Sequence, residues 1–186
     1  MAKQYRNPEK TRTGLLRAAG ELLVEKGLRG FTVQGVAEKA GFGKPLVYRY
    51  FGARGAVLDA LVHARVAAAE KILSGQSPPK EGPISENVYR QVMFARLLAG
   101  DRVLRALFRA FLSGDLGPVA GKAIDGLIPR SGAEGDKGAA EAFLLGGISY
   151  VLLLRDSQAE CAGQPIKTPG DMAAFERAFV ALSSKI

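Results

Sequence analysis

Histidine and cysteine are nearly missing from this chain, which has one of each, His63 and Cys161, in 186 residues. That scarcity closes most routes to chemistry. The sequence has no H-x-x-x-H, C-x-x-C, G-x-S-x-G or P-loop pattern, so no local motif offers a zinc site, an activated nucleophile or a phosphate cradle. His63 has no second His or Cys at metal-ligand spacing, and it reads as a structural or surface residue. One cysteine cannot close an intrachain disulfide, so Cys161 suits a reducing cytoplasm and reads as packing. No enzyme, no metal and no cofactor is expected. The longest uncharged apolar run, residues 142–154, is shorter than the ~20 residues of a membrane span. It reads as a buried helix, and no membrane partner is expected. No charged-then-apolar leader opens the sequence, so export is not expected either. Internal repeats are absent, and no segment alternates with the two-residue period of a half-buried strand. What is left is an all-helical reading.

What is present is charge, unevenly placed. The net charge is +8. Residues 1–55 hold 11 Lys/Arg against 4 Asp/Glu, a surplus of +7, while residues 56–186 hold 15 against 14, a surplus of +1. Hydrophobic content of 47% is ordinary for a globular protein. A basic N-terminal segment on a nearly neutral body is what attraction to nucleic-acid phosphates requires, and a solvated basic face is the bland alternative.

The chain is organised around residues 31–51, FTVQGVAEKAGFGKPLVYRYF. They read as a short helix, a glycine-bearing turn and a second short helix, the layout of a helix-turn-helix. Thr32 is a good N-cap. Val33, Val36, Ala37 and Ala40 recur at helical spacing, and Gly41 stands where a left-handed residue ends a helix. Phe42 plugs the space between the helices. The second helix opens near Lys44 and Pro45, where a missing amide costs little. Val47 and Phe51 are expected inward; Lys44, Leu46, Tyr48, Arg49 and Tyr50 are expected outward or across the rim. Ahead of this motif, Asn7-Pro8 reads as N-cap and first helical residue of a helix that Gly27 stops. Its Lys10 and Arg12 are placed to lie along a phosphate strand. Behind the motif, Gly52-Ala53-Arg54 leads into a long helix to about Leu73, with Val57, Leu58, Leu61, Val62 and Val66 as its apolar stripe.

These residues carry a family resemblance. Leu15-Leu16, Ala18-Ala19, Leu22-Leu23, Glu25, Gly27, Thr32, Val36-Ala37, Ala40-Gly41, Tyr48, Tyr50-Phe51 and Leu58 resemble the DNA-binding domain of the TetR family of bacterial regulators. The chain departs from the family pattern at Gly43, Pro45 and Leu46. The resemblance implies an all-α protein with a three-helix helix-turn-helix domain, residues 1–54. A long helix joins it to a helical ligand-binding and dimerisation domain, residues 55–186. Lys44, Tyr48, Arg49 and Tyr50 are the expected DNA contacts, with Leu46 and Val47 in the same segment. Leucine at 46 cannot hydrogen-bond a base edge but can touch a thymine methyl. Thr32, Gln34 and Arg54 are expected to position the DNA backbone.

Met1 to Arg6 reads as a short basic arm, and residues 74–83 as a linker rich in helix breakers. Helical patterns follow at 84–99, 101–113 and 116–128, then an exposed glycine-rich loop at 131–138. The first two carry Tyr89, Met93, Phe94, Leu107, Phe108 and Phe111, with Arg90, Arg96, Arg105 and Arg109 among them. Residue by residue these aromatics read as core; a pocket for a small lipophilic effector is implied by the resemblance alone. Residues 139–154 are apolar nearly all round, with Gly146-Gly147 in the middle. After a loop at 156–168, the last helix carries Met172, Phe175, Phe179 and Leu182. The resemblance implies a homodimer through these two helices, with Phe143, Gly146, Gly147, Tyr150, Phe175 and Phe179 at the interface; one monomeric core is the alternative. The function implied is a cytoplasmic transcriptional regulator, a repressor that a small molecule releases from a near-palindromic double-stranded DNA operator. The alternative is a helical module that docks a protein partner on residues 44–51.

Overall fold

The computed structural model describes residues 7–76, 86–130, 134–183 and 185. The arm 1–6, the linker residues 77–83, the expected helix start at Ile84 and the head of the loop at 131–133 lie outside the described residues. The protein is all-α, as the missing two-residue periodicity predicts. Its helices are α1 (Pro8–Lys26), α2 (Val33–Ala40), α3 (Lys44–Phe51), α4 (Arg54–Ser74), α5 (Glu86–Gly100), α6 (Arg102–Leu112), α7 (Pro118–Leu127), α8 (Gly135–Leu154) and α9 (Pro169–Ser183). A small antiparallel hairpin, β1 (Glu160–Cys161) and β2 (Gln164–Pro165), stands between the last two.

The chain divides into two compact units. The first comprises residues 1–68 and 106–125. Here Leu15, Ala19, Leu22 and Leu23 of α1 are buried together with Phe31, Val36 and Ala37 around α2 and Val47 of α3. The stripe on α4 is buried at every expected position, from Val57 to Val66. Full burial of each such aliphatic side chain contributes about 1.5–3 kcal/mol. The caps behave as the sequence requires. Asn7 accepts the Lys10 amide at 3.0 Å, with Pro8 as the first helical residue. Arg54 then anchors the start of α4, an arrangement described below.

The second unit comprises residues 69–105 and 126–186, in which α5, α8 and α9 pack on one another. Its polar ties are long in sequence. Buried Arg105 donates to the carbonyls of Leu98 at 2.6 Å and Ala99 at 2.8 Å, and to the Asp156 carboxylate at 2.8 and 3.1 Å. Arg155 reaches Ala99 O at 3.1 Å and Lys167 O at 3.0 Å. Thr168 and Asp171 cap α9 reciprocally, the Asp171 amide donating to Thr168 Oγ1 and the Thr168 amide to Asp171 Oδ2.

Three expectations change. The loop expected at 131–138 gives way to helix from Gly135, because Asp136 supplies a first-turn carboxylate and Gly138 packs as a buried residue without a side chain. The loop expected at 156–168 contains the hairpin, whose two-residue strands are too short to show alternation. Ala162 (φ 51°) and Gly163 (φ 75°) form its turn, both in the left-handed region as a type I′ loop requires. Finally, α8 is no buried helix. At 20 residues it is long and apolar enough to cross a membrane by length and composition. One side is buried, with the Glu141 carboxylate accepting from Asn87 Nδ2 at 2.5 Å, and the other side is open.

Candidate nucleic-acid interface

The motif is built by backbone chemistry at its joints. Thr32 Oγ1 accepts the Gly35 amide at 3.0 Å and opens α2. Gly41 (φ 72°) closes α2, and the Phe42 amide returns to Ala37 O at 2.9 Å. A side chain at Gly41 would be strained, since an L-residue disfavours that backbone region. Gly43 precedes α3 without a side-chain cap, and Pro45 takes a first-turn position. A feature missed in the sequence is Gly35. A Cβ there would stand 2.9 Å from Leu22 Cδ2, so α2 lies close on α1 because residue 35 lacks a side chain. A glycine inside an apolar helical pattern was the available signal.

The outward face of α3 differs from expectation at one residue. Leu46 is 6% exposed and packs inward beside fully buried Val47. Leu46 therefore touches no thymine methyl in this conformation, nor does Val47. The reason is angular: adjacent helical residues lie about 100° apart, and the motif core is wide enough to take both. Lys44, Pro45, Tyr48 and Arg49 are left exposed, Tyr48 at 48%, with Tyr50 and Phe51 half-buried. Positions 44, 45, 48 and 49 form one stripe at i, i+1, i+4 and i+5. Lys44 Nζ lies 5.7 Å from the centre of the Tyr48 ring, and the Arg49 guanidinium 5.8 Å from that of Tyr50. Arg12 of α1 lies 5.3 Å over Phe51, so its charge sits beside the end of α3.

The residues expected to position DNA are mostly at work inside the protein. Thr32 caps α2. Gln34 is exposed, and its amide donates to Glu38 at 2.7 Å. Arg54 Nε donates to Phe31 O at 2.7 Å and Nη2 to Leu28 O at 2.6 Å, with the guanidinium 6.0 Å from the centre of the Phe31 ring. Arg54 thus ties α4 to the α1–α2 loop. Lys39 is paired with Glu25 at 2.6 Å and lies 3.8 Å from Glu21.

The expected pocket residues separate. In the second unit, an open cleft of about 660 Å³ takes in Tyr89 and Met93 together with Leu73, Leu127 and Ile128. Glu70, Glu86, Arg90 and Arg130 line it as charged groups, and Tyr89 OH donates to Gln76 at 3.3 Å. Phe94 is buried core, as are Leu107 and Phe108 of the first unit. Phe108 stacks on half-buried Phe111 with ring centres 6.1 Å apart. Arg105, one of the arginines among those expected residues, is a buried structural tie. Arg96 donates to the Glu176 carboxylate, and that hydrogen bond raises its pKa.

The expected interface residues fall mainly on the open side of α8. Phe143 is 81% exposed and Tyr150 60%, with Gly146 and Gly147 exposed between them. No atom stands within 4 Å of a Cβ built on either glycine. Phe175 of α9 is half-buried. Phe179 is a correction, since it faces the core of its own chain and cannot line an outer surface. His63 Nδ1 lies 2.7 Å from Asp59 O, on the exposed side of α4. Among the described residues no cluster of three His, Cys, Asp or Glu could hold a metal ion.

Comparison with known proteins agrees with this geometry. Residues 15–61 match the family profile described as bacterial regulatory proteins, tetR family. None of the curated proteins matches the sequence. The crystal structure of a candidate TetR-family transcriptional regulator from Rhodococcus sp. superposes with a TM-score of 0.63 at 15% identity, covering 95% of this chain and 98% of that one. A regulator of the TetR/AcrR family from Thermobifida fusca gives 0.50 at 18% identity, covering 92% and 97%. At these identities the likeness is one of fold.

Proposed function

We propose that this chain, whose residues 15–61 match the profile of tetR-family bacterial regulatory proteins, is a homodimeric transcriptional repressor that reads a near-palindromic operator. Residues 1–54 read DNA; residues 55–186 pair two copies and bind a small effector that releases the DNA. The protein acts in the cytoplasm, where the operator is. One observation carries the reading. The stripe Lys44-Pro45-Tyr48-Arg49 is exposed on a helix held by the motif that the family profile matches, with its cations unpaired by any carboxylate among the described residues. The rival reading, a protein-docking surface on the same helix, loses its main apolar member because Leu46 is buried.

Dimerisation is supported by the open side of α8. Phe143 and Tyr150 flank a glycine pair that lets another backbone approach, and two-fold pairing is the commonest soluble assembly. Two recognition helices related by that axis would meet half-sites about one helical turn apart. The cleft beside Tyr89 and Met93 is the place for the effector. Its apolar floor suits a largely lipophilic molecule, and its charged groups suit a polar end. Effector acts only by preferring the conformation whose helices are wrongly spaced for the operator.

The test is selection of bound fragments from genomic DNA at two salt concentrations. An enriched near-palindrome, with affinity falling steeply as salt rises, is expected. Salt-insensitive binding, or none, would move the assignment to the docking surface. Unchanged operator affinity at saturating, demonstrably bound effector would remove the release mechanism.

A further inference from the structure

From the chemistry of the exposed stripe on α3 we infer that this protein recognises its half-site mainly through guanines, with thymine methyls beside them, and does not read the 6-amino group of adenine or the 4-amino group of cytosine. The inference rests on the DNA-reading role proposed above and specifies what that face can read. Hydrogen bonding in the major groove is a matter of matching donors to acceptors. Adenine N6 and cytosine N4 are donors, so a protein group must accept from them, and Asn, Gln, Asp or Glu does this. The outward stripe of α3 has none of these four residue types.

The stripe has Lys44, with three N–H donors, and Arg49, with five, and neither residue can accept. Guanine alone presents two adjacent acceptors, O6 and N7, to the major groove, which suits such donors. Pro45, and the face of Tyr48, supply apolar surface that fits a thymine methyl. The nearest acceptor-bearing side chains upstream, Gln34 and Glu38, belong to α2 rather than to this stripe, and they are hydrogen-bonded to each other, Gln34 Nε2 donating to Glu38 Oε1 at 2.7 Å. The burial of Leu46 sharpens the case, because the remaining stripe is only four residues wide and both of its charged members are donors. The one group on the stripe able to accept is the Tyr48 hydroxyl, and a Tyr48→Phe variant isolates it.

The experiment uses the full-length protein and the operator selected from genomic DNA, with single-base analogues placed in one half-site. Replacing a contacted guanine by 7-deazaguanine deletes N7 and should weaken binding about fivefold or more. Replacing adenines by 2-aminopurine, which pairs with thymine but lacks the major-groove amino group, should change affinity less than about twofold, the size of a lost non-contact. Arg49→Ala should lower affinity and relax the preference for one guanine, while Tyr48→Phe should leave the base preference unchanged. A fivefold loss with 2-aminopurine would overturn the inference, and so would a selected half-site in which no guanine matters. In either case the regulator reading survives. Failure to select any site would instead refute the DNA-reading role, and this inference with it.

Discussion

Replacing Arg54 by alanine separates two roles that one cation can have at the edge of a DNA-binding motif. In the structure its guanidinium donates to Phe31 O at 2.7 Å and to Leu28 O at 2.6 Å, and it borders the Phe31 ring. Two hydrogen bonds from a charged donor are worth about 1.5 kcal/mol each at the low end suited to an exposed residue. An exposed cation–π contact adds about 0.5 kcal/mol. Against this, alanine recovers much of the roughly 2 kcal/mol of rotamer entropy that an ordered arginine gives up. The net loss is about 2 kcal/mol. With a urea m-value of about 2 kcal/mol/M, the unfolding midpoint should fall by about 1 M. Arg54→Lys reaches one carbonyl at most and should lose about half as much.

The assay pairs urea denaturation, followed by helical circular dichroism, with operator binding across a salt series. A residue that neutralises a phosphate contributes about one to the salt slope. Arg54 is committed to two carbonyls, so the slope should stay unchanged in Arg54→Ala while the midpoint falls. An unmoved midpoint with a slope reduced by about one would refute the structural assignment and restore Arg54 as a phosphate contact.

Three further outcomes follow from particular side chains. Gln91 is 0% exposed and its amide finds no partner among the described residues; Gln91→Met should therefore stabilise the protein by about 1 kcal/mol, and a loss of that size in a thermal melt would mean the amide is satisfied in the folded state. The Asp171 carboxylate is held below its ordinary pKa chiefly by the Thr168 amide. Its contribution to capping α9 is present above the unfolded pKa of about 3.9 and is lost as pH falls through the lower folded value. Hydrogen-exchange protection in the first turn of α9, taken relative to the intrinsic rate at each pH, should fall there, and Asp171→Asn should abolish that pH dependence; protection indifferent to acid in the native protein would contradict it. Phe143→Glu on the open side of α8 should give monomers by sedimentation with helix content intact, and an unchanged dimer would put the interface elsewhere.

Local signals were legible in the sequence because each is decided within a few residues. Asn7-Pro8, Thr32 and Gly41 act on neighbouring amides, so composition at fixed offsets was enough to place the ends of α1 and α2. The apolar stripe of α4 was legible for the same reason, with 3.6-residue spacing and no competing pattern. Facing direction was harder. The sequence has both Leu46 and Val47 to place, and only the width of the core shows that both go inward. Arg54 and Arg105 illustrate the deeper limit. Their partners lie 23 to 26 and 6 to 51 residues away, and a cation's sequence neighbours do not reveal whether it will meet a carbonyl, a carboxylate or solvent. Of the six residues expected to share a pocket, Tyr89 and Met93 line the cleft while Phe94, Leu107, Phe108 and Phe111 do not, since helical spacing alone makes a core stripe and a pocket wall look alike.

The small reading face and the open side of α8 make the same demand. On the proposed reading each copy would present Lys44 and Arg49 to base edges, and a good bidentate contact discriminates by about 1–3 kcal/mol. One copy therefore supplies about 2–6 kcal/mol of sequence preference, whereas specific binding exceeds non-specific binding by about 4–10 kcal/mol. A lone copy falls near or below the bottom of that range. Two copies reading symmetric half-sites would double this to about 4–12 kcal/mol, which spans that range, and they would do so only if the spacing between their α3 helices is held fixed. Pairing through Phe143, Gly146, Gly147 and Tyr150 would hold two such copies together. The same arithmetic explains how a modest change in spacing acts as a switch. On the proposed reading, losing one half-site would forfeit about half of the preference while phosphate attraction persists, so an effector would not have to abolish DNA binding. It need only return the protein to the non-specific pool, where an operator no longer competes against the rest of the genome.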